Sequence, residues 1–263
     1  MWMAVRLALL SDVHGNPIAL DAVLEDIQAQ GGVDAHWVLG DLAAIGHDPL
    51  AALERLSALP NVCFVRGNTD RYLVTGERPG PTLEAAQADP RLAPELVEVA
   101  GSFAWTQGYL TATGWLDWLA GLPLERRLIL PDGTRLLGVH ARPGSDDNPG
   151  LHLALSDAEL GALLAGCEAD LVCVGHTHCP LDRRAGGVRA VNLGSVSNPM
   201  TPDLRASYVL LDADESGYRL EHRWVDYDRG AVIEALQRSR HPAGEFIISY
   251  FLGRRRPGWD TGP

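Results

Sequence analysis

The chain has 263 residues, 46% of them hydrophobic, which is enough for one domain with a full core or one domain carrying an insertion. Its 34 acidic residues outnumber 22 basic ones, and the formal charge of −12 excludes a general phosphate-backbone footprint, so long nucleic acid is not the expected partner. Small anions stay open, because bound cations can invert the sign of a pocket.

Residues 4–10 (AVRLALL) read as a buried strand, and Asn16-Pro17 then opens an apolar-periodic helix, IALDAVLEDIQAQ, that stops at Gly31-Gly32. The pattern recurs in a strand at 35–39 (AHWVL), a helix near 49–58 and a strand at 62–65 (VCFV). Strands separated by helices in this way predict right-handed crossovers in a largely parallel sheet. From 71 to 122 the texture shifts to Leu, Ala, Trp and Pro, with helical patches at 82–88, 92–107 and 111–120. This segment reads as a helical insertion within a single domain over 1–263. LERRLIL and TRLLGVH then flank Pro131-Asp132-Gly133, a hairpin signal. A helix at 156–165, a strand at 171–174 (LVCV) and strands around 187–192, 206–212 and 217–225 follow. Helices near 228–239 and from Pro242 to Gly253 close the pattern, and 254–263 reads as a flexible tail.

No apolar run reaches the roughly 18 residues of a membrane span, and the N-terminal apolar stretch ends at Ser11-Asp12, too short for a secretory segment. The four cysteines, Cys63, Cys167, Cys173 and Cys179, include no C-x-x-C pair. Reduced thiols, a cytoplasmic location and no membrane contact are the expectation.

Each strand is followed by polar groups: Asp12-Val13-His14, Gly40-Asp41, Gly67-Asn68, His140, and Gly175-His176-Thr177-His178. In an open α/β sheet the carboxyl ends of the strands share an edge where ligand crevices form, so residues more than a hundred positions apart are expected to converge. Carboxylates, the amide oxygen of Asn68 and four imidazoles are the donors that divalent metals take. The Asp-x-His and His-x-His spacings are read as alternate residues of an extended segment, each pair pointing to a common site.

The motifs SDVHGN (11–16), GDLAAIG (40–46), RGNTD (66–70), GVHARPG (138–144) and GHTH (175–178) occur in that order. Together they resemble the calcineurin-like metallophosphoesterase superfamily, and within it the small bacterial and archaeal phosphodiesterase branch. The resemblance covers roughly residues 5–210. It implies an α/β fold, a two-sheet αββα sandwich with a helical insertion. It further implies two divalent transition-metal ions (manganese, iron or zinc), one held by Asp12, His14, Asp41 and His178 and the other by Asp41, Asn68, His140 and His176, with Asp41 bridging. The implied reaction is hydrolysis of a small phosphorylated substrate by a metal-bridging hydroxide, at two ions that lower the pKa of the attacking water and neutralise phosphoryl oxygens.

Asp41, Asn68, His140 and Asp70 are the candidate catalytic residues. Many superfamily members carry His after the Gly-Asn pair, where Thr69 stands here; this favours weakly basic leaving groups, hence a phosphodiester or dinucleoside polyphosphate over an alkyl monoester. Asn16, His47, Arg142 and Ser195 are candidate substrate contacts, although Asn16 also reads as a helix N-cap, Arg142 as a solvated or paired side chain and the loop of Ser195 as a plain tight turn. His36, His152, His222 and His241 read as core or surface residues, Cys179 as a small buried one, and Trp105, Trp115 and Trp118 as core or lid packing. Two other functions stay open: a catalytically weak metal-binding regulatory protein on the same fold, and an interaction module or homo-oligomer using the apolar segment FIISYFL.

Overall fold

The computed structural model describes residues 4–257. The strand at 4–10 is apolar on both faces because both faces are covered. In β1 (Ala4–Leu10), Leu7 and Leu9 join Trp37 and Leu39 of β2 (Ala35–Leu39) in a layer between two sheets, while Ala8 and Leu10 join the layer outside the first. That outer layer takes Leu20, Val23 and Ile27 from α1 (Pro17–Ala29) and Leu53 and Leu56 from α2 (Pro49–Ser57). Asn16 caps α1 through its side-chain oxygen on the Ala19 amide, as its position before Pro17 leads one to expect.

The first sheet runs β10-β9-β1-β2-β3, with β3 (Val62–Val65), β9 (Ala206–Asp214) and β10 (Gly217–Val225). The second runs β4-β5-β6-β8-β7, from β4 (Glu125–Ile129), β5 (Arg135–Val139), β6 (Leu171–Val174), β7 (Leu181–Ala185) and β8 (Val188–Asn192). Leu136, Leu171, Cys173 and Val191 pack inward onto the first sheet. Leu160 and Leu164 of α7 (Asp157–Leu164) cover the outside with Val172 and Val174. The layers are helix, sheet, sheet, helix, the αββα sandwich.

The expectation of a largely parallel sheet is corrected. β1–β2–β3 and β5–β6–β8 are parallel, but β9, β10, β4 and β7 pair antiparallel at the flanks. Hairpins make the β4–β5, β7–β8 and β9–β10 turns, and a hairpin can only reverse direction. The strand β7 (LDRRA) escapes the pattern reading because it lies at a sheet edge, with only its end residues Leu181 and Ala185 buried.

Between β3 and β4 the chain is helical: α3 (Asn68–Thr75), α4 (Leu83–Ala88), a 3-10 turn at Pro90–Leu92, α5 (Ala93–Thr113) and α6 (Leu116–Ala120). The first helix starts inside the RGNTD motif, ahead of the expected boundary. The expected break after 107 is absent, since burial of Phe103, Thr106 and Leu110 carries α5 through Gly108 despite a propensity cost of about 1 kcal/mol. Trp115 and Trp118 pack edge to face at 5.3 Å, Trp118 against Phe64 at 5.0 Å, and Trp105 on His241 at 4.6 Å.

After β10 come α8 (Arg229–Ser239) and α9 (Gly244–Phe251). Ile247, Ile248 and Phe251 are buried against Val232 and Leu236, with Ile18 and Ile45 packed alongside. The apolar segment FIISYFL therefore turns Ile247, Ile248 and Phe251 inward and leaves Leu252 exposed. Of the expected tail, 254–257 carries no regular structure and 258–263 lies outside the described residues, as do residues 1–3. Among the described residues no helix is long and apolar enough to cross a membrane.

Candidate metal centre

The loops that follow β1, β2, β3, β5 and β6 meet where the two sheets present their carboxyl ends. Backbone hydrogen bonds fasten them to one another: Asp12 N to Gly40 O at 3.0 Å, His14 N to Asp41 O at 2.9 Å and Gly175 N to His140 O at 2.8 Å. Gly67 and Gly175 are needed for this approach, because a Cβ at Gly67 would run into the Asp41 carboxylate and one at Gly175 into Ser11 and Asp12.

Asp12, His14, Asp41, His176 and His178 all adopt left-handed backbone, with φ between 47° and 69°. Such a conformation costs a non-glycine residue about 1–2 kcal/mol and survives only where the surroundings impose it. It also corrects the extended reading of Asp-x-His and His-x-His: these pairs are turned by left-handed kinks, and their side chains do not simply alternate. His176 and His178 point to different places as a result.

One ligand atom from each of Asp12, His14, Asp41 and His178 lies within 4.8 Å of the others. Beside this group, Asn68 Oδ1 is 3.1 Å from His140 Nε2 and 3.0 Å from His176 Nδ1. Asp41 stands between the two, its Oδ2 3.7 Å from His14 Nε2 and its Oδ1 3.4 Å from His140 Nε2. The seven residues are buried apart from His176, which is partly exposed.

The hydrogen-bond partners decide what this cluster can hold. Nδ1 of His14 donates to Ala44 O at 2.9 Å, Nδ1 of His140 to Leu39 O at 2.7 Å and Nδ1 of His178 to Asn198 O. Neutral rings so oriented present bare Nε2 lone pairs. His14 Nε2 and His178 Nε2 then face each other at 3.2 Å, and His178 Nε2 faces Asp12 Oδ1 at 3.1 Å. Asp12 Oδ2 accepts from the Ser11 hydroxyl and the His176 amide, whereas the buried Oδ1 has no hydrogen-bond partner among the described residues. Two imidazole nitrogens and carboxylate oxygens converging here, with Nδ1 of His14 and of His178 already bonded to carbonyls, are a donor set that fits a divalent cation.

The charges of the cluster also pair with one another. Burial pushes His14 down, and burial followed by the His140 charge pushes His176 down to about 4. Burial opposes the charges of Asp41 and His140, yet their mutual attraction outweighs it, holding the Asp41 carboxyl far below the usual range and His140 up to about 10. Asp12 and His178 behave alike: burial is overcome by their pairing, lowering Asp12 and raising His178.

The remaining candidates sort by what their polar atoms touch. Asp70 is fully buried, and its carboxylate accepts from the amides of Asp41 (2.9 Å), Leu42 (3.0 Å) and Gly67 (2.9 Å). Burial, then the Asp41 charge, raises it to about 7 against the pull of those amides. It holds the Asp41 loop in shape, and both its oxygens are engaged by these three amides. Asn16 and Ser195 are likewise buried: Asn16 caps α1 and donates to Ser197 Oγ, while Ser195 Oγ donates to Asp12 O and accepts from the Ser197 and Asn198 amides. Their side chains are engaged inside the fold, as the cap and turn readings expect. His47 and Arg142 are partly exposed, and neither His47 Nδ1 nor Arg142 Nε has a hydrogen-bond partner among the described residues.

The roles of three asparagines escaped the sequence reading. Asn198 supplies the carbonyl that orients His178, Asn192 ties the Gly175 and Thr177 positions together, and Asn148 Oδ1 lies 3.2 Å from His176 Nε2. The NLGSVSN run was the available signal for the first two; nothing in the spacing marks Asn148. The other histidines hold structure: His36 Nδ1 bonds Pro60 O, His222 Nε2 bonds Asn192 O and His241 accepts from Ala243 N. A cavity of about 750 Å³ opens at the far end of the sheets, lined by Val5, Trp37, Cys63 and Leu128, so cavity size does not mark the chemistry here.

A profile described as the calcineurin-like phosphoesterase superfamily domain matches residues 5–216. An uncharacterized protein of Methanocaldococcus jannaschii is 28% identical over 267 residues, covering 94% of this chain and 98% of its own. A symmetrical bis(5'-nucleosyl)-tetraphosphatase of Erwinia tasmaniensis is 39% identical over 67 residues, 25% of this chain and 24% of its own. Among solved structures, a metallophosphoesterase from Sphaerobacter thermophilus superposes with a TM-score of 0.70 at 25% identity, covering 95% of this chain and 99% of that one. A hypothetical protein from Pyrococcus horikoshii shares the fold, with a TM-score of 0.78 at 20% identity over 96% of this chain and 99% of its own. With all five motif loops inside the matched span and the fold shared from end to end, the chain belongs to the calcineurin-like phosphoesterase superfamily.

Proposed function

We propose that the chain is a phosphoesterase dependent on two divalent transition-metal ions, manganese, iron or zinc, that hydrolyses a small phosphodiester or dinucleoside polyphosphate. The observation that carries this reading is the convergence of ligand atoms from Asp12, His14, Asp41 and His178 within 4.8 Å of one another, with His14 Nε2 and His178 Nε2 3.2 Å apart. Asp12, His14, Asp41 and His178 would hold one ion, and Asp41, Asn68, His140 and His176 the second. Bound there, such ions supply the charge that neutralises phosphoryl oxygens and lowers the pKa of water.

The chain's own part is orientation. Asp41 is set between the two groups by Asp70, and three imidazoles are fixed in one tautomer by backbone carbonyls. Thr69, whose hydroxyl is buried, stands where a proton donor to the leaving group would be. Weakly basic leaving groups, such as a nucleoside phosphate, need that donor least. The short likeness to a bis(5'-nucleosyl)-tetraphosphatase is consistent with such a substrate. The helices between β3 and β4 form part of the substrate wall.

The test is a screen of the purified, metal-loaded protein against bis-p-nitrophenyl phosphate, p-nitrophenyl phosphate, cyclic nucleotides and dinucleoside polyphosphates. Turnover of a diester or a dinucleoside polyphosphate that disappears in Asp41→Asn is the expected result. Equal rates in Asp41→Asn would remove the two-ion reading.

A further inference from the structure

The two C-terminal helices lie beyond the family match, which ends at residue 216, and α9 reaches one half of the site. Its apolar face, Ile247, Ile248 and Phe251, anchors it on α8 and on Ile45. Tyr250, partly exposed, is placed beside His178, the ring centroids 6.4 Å apart. Phe246, one turn earlier, meets Tyr250 edge to face at 5.6 Å. Arg255 folds back over this pair, its guanidinium 4.0 Å from the Phe246 ring centre and 5.8 Å from that of Tyr250, with Nε donating to Ser249 Oγ at 2.6 Å.

What these side chains lack is informative. No carboxylate among the described residues pairs with Arg255, although the chain carries 34 acidic residues against 22 basic ones. The Tyr250 hydroxyl likewise makes no hydrogen bond among the described residues. Stacking on Phe246 and the bond to Ser249 hold the guanidinium plane in place while leaving its two terminal nitrogens as donors. A fixed, planar pair of N–H donors matches the oxygens of a phosphoryl group.

We infer that Tyr250 and Arg255 form an anion subsite beside the Asp12, His14 and His178 group, and that it takes a second phosphoryl group of the substrate. The inference rests on the phosphoesterase reading above and narrows it. A simple diester has nothing to place there; a phosphoric anhydride, such as a nucleoside polyphosphate, does.

The experiment is calorimetric titration of the full chain in excess Mn²⁺, with ADP and AMP as probes. The wild type binds ADP more tightly than AMP. Arg255→Gln reduces the ADP-to-AMP affinity ratio about tenfold or more, the loss of a charge-assisted hydrogen bond, and Arg255→Lys restores part of it. Tyr250→Phe reduces the ratio by a smaller factor, and thermal melts confirm that each variant is folded. An unchanged ratio in Arg255→Gln overturns the subsite. Turnover of bis-p-nitrophenyl phosphate or of a dinucleoside polyphosphate by the wild type reports separately on the phosphoesterase reading: turnover of either with an unmoved ratio removes the subsite alone, whereas a ratio that collapses without turnover of either keeps the subsite and removes the hydrolase.

Discussion

Asp70→Asn separates a residue that shapes the site from one that acts in it. In the wild type, Asp70 Oδ2 accepts from the Asp41 and Gly67 amides, both at 2.9 Å, and Oδ1 accepts from Leu42 N at 3.0 Å. An asparagine that keeps its oxygen toward Asp41 and Gly67 must turn its NH₂ to the Leu42 amide, so one hydrogen bond becomes a contact between two donors in a fully buried place. Leaving a buried amide unsatisfied costs about 1–3 kcal/mol. Removing a carboxylate that burial and the Asp41 charge already disfavour offsets part of that, which sets the expectation toward the lower end. For a chain of this size, about 1–3 kcal/mol corresponds to a fall in Tm of about 2–12 °C. The Asp41 loop should loosen with it, and metal affinity should drop about 10–100-fold, as for other groups that orient ligands. Scanning calorimetry and a Mn²⁺ titration measure both. If Asp70→Asn kept wild-type Tm and metal affinity yet lost turnover, Asp70 would be a catalytic group and the reasoning here would fail.

Three further outcomes are expected. Asn148→Ala removes the oxygen facing His176 Nε2 and should weaken the second step of a two-step metal titration about tenfold, leaving the first step unchanged; an equal effect on both steps would count against the division of ligands given above. Gly108→Ala lies in the interior of α5 with open space at its Cβ, and should raise stability by about 0.5–1 kcal/mol in urea unfolding; a loss would mean the helix needs the glycine. Burial pushes the Cys173 thiol up to about 12, so iodoacetamide at pH 8 should spare it in the native protein and reach it only in urea, while partly exposed Cys63 reacts in both; native labelling of Cys173, read by mass spectrometry, would contradict the packing between the sheets.

Much of the site is legible along the chain because its donors sit directly after strands, and strands of unbroken apolar residues such as LVCV are easy to find. The limits Ala35–Leu39 and Leu171–Val174 follow from runs bounded by aspartate and glycine, and those of Ala4–Leu10 and Val62–Val65 from apolar runs that end at Ser11 and Arg66. Strand direction is different: a residue pattern says that a face is buried, not which neighbour covers it, so the antiparallel flanks and the half-polar edge β7 were out of reach. The same limit explains Asp70, whose three amide partners lie on loops from β2 and β3, and Asn148, whose partner is 28 positions away.

Local order in the sequence thus determined the residue types, their order after each strand and the alternation of strands and helices, since periodicity and turn chemistry act over a few residues. The tertiary structure alone decided that His176 and His178 turn to different groups, that Asp41 stands between those groups, and that a C-terminal helix brings Tyr250 to His178. These facts depend on left-handed backbone that the converging loops impose and on contacts across more than a hundred residues, and no local signal encodes either.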